Sequence, residues 1–185
     1  MGTKLEEQIQ PRVSDFYFIC SCKYSTDQII EMEQEILASN NYRLVKENPC
    51  DFLLNFVDKI SKDTSIDQEM LNKIKNLSKY VLESSIFNLK AKLKFKNSLI
   101  AISSLYIALK CLNMNDLLEN IVMNTIYNKK SIRKCAMFLY RHLNSDKDNN
   151  IERKESDLRV IYRKFGSEKF GKISNFELVI NSCDN

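Results

Sequence analysis

The chain has 185 residues, a formal net charge of +4, 28% charged and 44% hydrophobic side chains, and only three Gly, two Pro and no Trp. So few breakers argue for an all-α protein with short connections, since sheets and their turns consume more Gly and Pro. No apolar run approaches the roughly 20 residues of a membrane-spanning helix, and the opening MGTKLEEQIQ is polar and acidic rather than a signal peptide.

Taken in order, QPRVSDFYFIC places Pro11 in the first turn of a short helix carrying Val13, Phe16, Tyr17 and Ile19. The next helix begins at Ser25 or Thr26 as N-cap and runs to about Asn40. Its centre reads IIEMEQEIL. At 100° per residue, Ile29, Ile30, Met32, Ile36 and Leu37 form one apolar stripe, and Glu33 falls inside it, while Glu31 and Glu35 point to water. A carboxylate among apolar neighbours costs several kcal/mol unless it is paired and hydrogen-bonded. Glu33 therefore implies a cation, backbone N–H groups or both, from its own chain or from a partner.

Pro49 starts the third helix, with Phe52, Leu53, Phe56, Val57 and Ile60 on its buried side, and SKDTSID forms a polar loop. From Gln68 to Phe87 apolar residues recur at three- and four-residue steps. Lys90, Lys92, Lys94 and Lys96 read as a solvated connection, with a phosphate-binding strip as the alternative. Residues 97 to 112 are apolar nearly all round, which only a central, surrounded helix can satisfy. Helices over about 115–125 and 129–143 follow, then the solvated stretch SDKDNNIERKES. Its Asp146, Asp148 and Asn150 imitate a calcium loop, but Ile151 and Asp157 stand where that loop needs Gly and a bidentate Glu. A last helix, 156–165, ends at Gly166 in the manner of a C′ glycine.

Catalysis and cofactors are not expected. A Gly-rich phosphate loop is missing, and His142 sits on an apolar-periodic helix as a structural residue. The six cysteines lack paired CxxC spacing, so they read as reduced thiols rather than zinc ligands.

The order of motifs resembles the mitotic A- and B-type cyclins. Lys4, Glu6 and Glu7 match Lys-x-Glu-Glu; DFYFIC matches an aromatic-rich F-x-Y-I; IIEMEQEIL matches I-x-x-M-E-x-x-I-L; and Pro49 with DFL matches the start of the second cyclin box. SLIAISSLYIALK, TIYNKKSIRKC (Ile126 replacing a glycine) and IYRKFGSEKFGKIS match later family segments. The resemblance implies a cyclin-like five-helix bundle around a central apolar helix, preceded by a truncated first box and followed by a C-terminal helix. Residues 1–45 would be the remnant of the first box, 46–145 the second box, and 146–185 the C-terminal helix and tail. It also implies a non-catalytic subunit that binds and activates a cyclin-dependent Ser/Thr protein kinase, in nucleus and cytoplasm, with neither membrane nor nucleic acid as partner. Kinase contacts carried over from the family are Lys4 and Glu33, with Leu5, Leu37, Tyr42 and Leu44 beside them. The other reading is a cyclin-box scaffold in transcription whose basic loops touch nucleic acid. A full first box has three helices before Lys-x-Glu-Glu, including the substrate-docking groove, so this chain is expected to be a fragment. Its residues 11–40 would then be rearranged, flexible or used in self-association.

Overall fold

Helix α6 (Asn97–Cys111) has no polar face, and every side chain from Leu99 to Leu109 is buried. The other elements of its unit are placed by the need to cover it. The structure is a computed structural model that describes residues 11–43, 48–63, 65–148, 157–176 and 178. These contain nine α-helices and two short 3-10 turns: α1 (Val13–Ile19), α2 (Thr26–Ser39), α3 (Pro49–Asp63), α4 (Gln68–Ile86), α5 (Leu89–Lys94), α6, α7 (Asn115–Met123), α8 (Lys129–Asp148) and α9 (Asp157–Phe165), then Glu168–Phe170 and Ile173–Asn175. The chain divides into two units, Met1–Lys46 and Glu47–Asn185.

In the second unit α3, α4, α7 and α8 pack around α6. They contribute Leu53, Val57 and Ile60; Ile74, Leu77, Val81 and Leu82; Leu118 and Val122; and Ile132, Cys135, Ala136, Leu139 and Leu143. Small residues on α6 (Ala101, Ser103, Ser104 and Ala108, each wholly buried) suit it to a position enclosed by neighbours. Buried hydroxyls would be costly if unpaired. Here Ser104 donates to the Ile100 carbonyl (2.9 Å), Ser78 to Ile74 (2.7 Å), Ser84 to Tyr80 (2.7 Å), and Ser103 crosses to Ile132 on α8 (3.2 Å). The Cys135 thiol lies in the same layer, and burial pushes its pKa up to about 11 despite an opposing hydrogen bond with Ser103.

Caps fix where the helices begin. Asn48 Oδ1 accepts from the N–H groups of Cys50 (2.7 Å) and Asp51 (3.1 Å), so Pro49 stands in the first turn, where its missing N–H costs nothing. Asn88 caps α5 through the Ala91 N–H (3.0 Å), and Asn128 caps α8 through the Ser131 N–H (2.8 Å).

The C-terminal segment belongs to the same core. Ile161 and Phe165 of α9, Ile173 and Leu178 are all buried with it. The Phe165 ring lies 5.5 Å from that of Tyr80 on α4 and 4.8 Å from that of Phe170. Tyr140 of α8 donates to the Leu178 carbonyl (3.0 Å).

Four sequence expectations are corrected. Pro11 precedes the Arg12 N-cap of α1 and lies outside its first turn, because the Asp15 carboxylate accepts from the Arg12 N–H (2.7 Å) and sets the start at Val13. The lysine-rich connection contains a helical turn, α5, anchored by wholly buried Ala91. Helix α8 continues through Asp148 into the stretch read as loop: loss of apolar periodicity marks the end of burial, and a solvated helix can run beyond it. Gly166 does not hold the left-handed conformation of a C′ residue. A Cβ there would come within 3.1 Å of both Ser174 Oγ and the Tyr162 carbonyl, a tight fit that favours glycine, and the left-handed turn falls to Gly171 (φ 68°).

Burial separates the thiols chemically. Cys20 and Cys22 are exposed, whereas Cys135 is wholly buried. A disulfide reagent at pH 8 is expected to modify Cys20 and Cys22 in the native protein and Cys135 only after denaturant is added. Modification of Cys135 at the same rate as Cys20 would contradict the packing of α6 on α8.

Candidate functional site

Within the first unit α1 packs on α2. Ser25 sets the register of α2 through a reciprocal cap: its Oγ accepts from the Gln28 N–H (3.2 Å), and Gln28 Oε1 accepts from the Ser25 N–H (2.9 Å). That register aligns Ile29, Glu33 and Leu37 on one side, each a turn from the next, and all three are half-buried. Val13, Phe16 and Tyr17 are the half-buried apolar residues of α1. A hydrogen bond with the Cys22 thiol raises the Tyr17 phenol pKa above its ordinary value.

No side chain of α1 or α2 is fully buried. Large apolar residues stand in solvent on both helices: Phe18 (69% exposed) and Ile19 (75%), then Ile30, Met32 (54%) and Ile36. Glu33 thus lies at the boundary between a thin packed seam and an uncovered apolar strip. Periodicity puts Ile30, Met32 and Ile36 on the apolar stripe, but period reports which side a residue faces and not what lies opposite.

The C-terminal end of α2 carries the next feature. Asn41 and Tyr42 both adopt the left-handed conformation (φ 50° and 58°), and the Tyr42 N–H donates to the Leu37 carbonyl (2.8 Å). Asn tolerates this conformation, whereas for a bulky side chain it is an outlier that costs roughly 1 kcal/mol. The Tyr42 side chain is 72% exposed, so no burial offsets that cost. Glu33 and Leu37 thus lie one turn apart on α2, and just past its end the Tyr42 backbone folds back onto the Leu37 carbonyl. Lys4, Leu5 and Leu44 lie outside the described residues.

Other chemistries find little here. Among the described residues no cluster of three or more His, Cys, Asp or Glu side chains could hold a metal ion, and no helix is long and apolar enough to cross a membrane. His142 is half-buried on α8.

The second unit is an all-helical shell around one apolar helix, and the first contains a helix pair with an uncovered apolar strip, so the class is all-α. Comparison with known proteins narrows it. The family model described as "Cyclin, C-terminal domain" matches residues 48–178 and that described as "Cyclin, N-terminal domain" matches residues 1–45, so the chain belongs to the cyclin family. It is similar to a G2/mitotic-specific cyclin S13-7 of Glycine max (29% identical, covering 94% of this chain and 62% of that protein). It is also similar to a putative cyclin-B3-1 of Arabidopsis thaliana (28%; 89% and 38%) and a G2/mitotic-specific cyclin-B of Spisula solidissima (28%; 94% and 37%). The chain thus spans less than two thirds of the length of each of these relatives, and under two fifths of the latter two.

Proposed function

We propose that this chain is a regulatory subunit, or part of one, that binds and activates a cyclin-dependent Ser/Thr protein kinase in control of the cell cycle, acting in nucleus and cytoplasm. The observation that carries the reading is the strip on α2, where half-buried Glu33 and Leu37 share the helix with exposed Met32 and Ile36, followed by exposed Tyr42 just past its end, in a member of the cyclin family. An apolar strip with one carboxylate suits a partner offering apolar side chains around a few hydrogen-bond donors, because charge-assisted bonds in a desolvated setting fix orientation. The backbone at the end of the kinase's C helix would supply those donors, with Lys4 alongside. Binding only the active arrangement of that helix would shift the kinase population toward it. Without a kinase, the same strip would pair with a second copy of the chain, which a kinase would displace.

The test is to co-express the intact gene product with cyclin-dependent kinases of the same organism and to measure complex formation and phosphorylation of a histone substrate. Glu33→Ala is expected to weaken the complex by about 2 kcal/mol or more, roughly thirtyfold, as for loss of one member of a desolvated hydrogen-bonded pair. Tyr42→Gly removes the exposed ring while relieving the left-handed backbone, so it should leave helix content and melting unchanged and still weaken the complex. Full binding and activation by both variants would overturn the assignment of this strip. Absence of any complex with the unaltered protein would overturn the function itself.

A further inference from the structure

Between Ser84 and Ser145 the chain carries ten Lys or Arg residues and two acids, Asp116 and Glu119, a net +8 in a protein whose total is +4. The basic residues fall in two clusters far apart in sequence, Lys90 to Lys96 and Lys129 to Lys134. Folding joins them. Phe95 packs edge-on against Phe138 of α8 (5.5 Å between rings), and Lys94 Nζ lies 5.2 Å from the centre of the Phe138 ring. Ser98 and Tyr127 share a hydrogen bond of 2.7 Å, which holds the start of α6 beside the start of α8. On α8, Lys130, Lys134 and Phe138 follow one another at four-residue steps, about 6 Å apart along one side. The row therefore leads from exposed Lys130 and Lys134 to Lys94, with Lys96 between the two anchoring contacts. Lys129, Lys130, Arg133, Lys134 and Met137 stand on one stretch of α8, and Glu119 pairs with Lys129.

The fold does not ask for these charges. The first turn of α8 has no acidic residue, so its lysines oppose the helix dipole at roughly 0.3–1 kcal/mol each, and neighbouring cations repel. Exposed aliphatic side chains interleave with the lysines along α5: Leu89 (67% exposed) precedes Lys90, and Leu93 (80%), one turn on, stands between Lys92 and Lys94. A single-stranded nucleic acid would want uncovered aromatic faces for stacking, and here Phe95 and Phe138 are half-buried against each other. Leucines interleaved with lysines match an acidic segment that carries its own apolar anchors.

We propose that α5 and the first half of α8 form a docking face for an acidic, leucine-containing protein segment, separate in sequence from the strip on α2. Charge complementarity supplies attraction and approach rate, and Leu89 and Leu93 supply the apolar contact.

Fluorescence anisotropy of the full chain with a labelled 18-residue peptide of Glu and Leu, spaced for one amphipathic helix, tests this. Comparators are the same peptide with Ser for Leu and a 20-base-pair DNA duplex. The Glu/Leu peptide should bind best. Lys130→Glu with Lys134→Glu should weaken it at least tenfold, and Leu93→Ser severalfold, while circular dichroism stays unchanged. These variants lie on the surface and leave α2 untouched, so kinase binding should survive them. DNA binding as tightly as the peptide, with no effect of Leu93→Ser, would make this a nucleic-acid face and overturn the proposal. So would equal binding of the Ser peptide, or no peptide binding at 50 mM salt.

Discussion

Phe165→Ala is expected to lower the stability of the second unit by about 3–5 kcal/mol, as for other large-to-small changes at a fully buried aromatic. The side chain is wholly buried and meets the rings of Tyr80 and Phe170, so truncation leaves a cavity between α4 and α9 that no nearby surface side chain can fill. For a unit of this size the melting temperature should fall by on the order of 10–20 °C. The adjacent ion pair is the natural rival explanation for what holds α9. Lys164 Nζ sits 2.7 and 2.8 Å from the two Glu83 carboxylate oxygens, but both side chains are partly exposed (44% and 28%). Such a pair contributes about 0–1 kcal/mol. Lys164→Ala should therefore cost less than a third of Phe165→Ala in denaturant titrations. Near-equal losses, or a Phe165→Ala loss under 1 kcal/mol, would mean that α9 is not docked through its aromatic side chain.

Helices whose position depends on their own composition were legible in the sequence. An apolar run from Leu99 to Leu109 with no polar face can only be enclosed, and α6 is the central helix. Ser25 as an N-cap and Pro49 at a helix start are local signals, and the structure has both. What depends on residues distant in sequence was not legible. The lysines of α5 read as a solvated connection because nothing local says that Phe95 will meet Phe138, 43 residues later, and carry Lys94 to the basic side of α8. Gly166 sits in a natural stop position, yet what crowds it includes Ser174, brought there by a turn completed further along. At the candidate site, the helical wheel placed Glu33 and Leu37 together correctly because both lie on α2. It gave no hint that Tyr42 would take a left-handed backbone tied to the Leu37 carbonyl.

Raising pH above 9 should destabilise the second unit through two buried acids. Burial pushes the Cys135 thiol from its ordinary 9.0 to about 11. The Tyr80 phenol goes from 10.0 to about 12, mainly by burial and secondarily by nearby Tyr162. In the unfolded chain each group loses its proton first, so between the two pKa values the unfolded state binds fewer protons and stability falls as pH rises. Stability is therefore intact below pH 9, and the Cys135 contribution is lost between 9 and about 11. That loss is about 1 kcal/mol from pH 9 to 10 and approaches about 2.7 kcal/mol above 11, with Tyr80 adding a similar loss one pH unit later. Most of the Tyr80 loss falls above pH 10, so the thiol dominates the interval from 8 to 10. Cys135→Ala should lower stability at pH 7 by a modest amount and flatten the curve from pH 9 to 10. Parallel curves for the two proteins would place the thiol in contact with water and contradict the close packing of α8 against the small residues of α6.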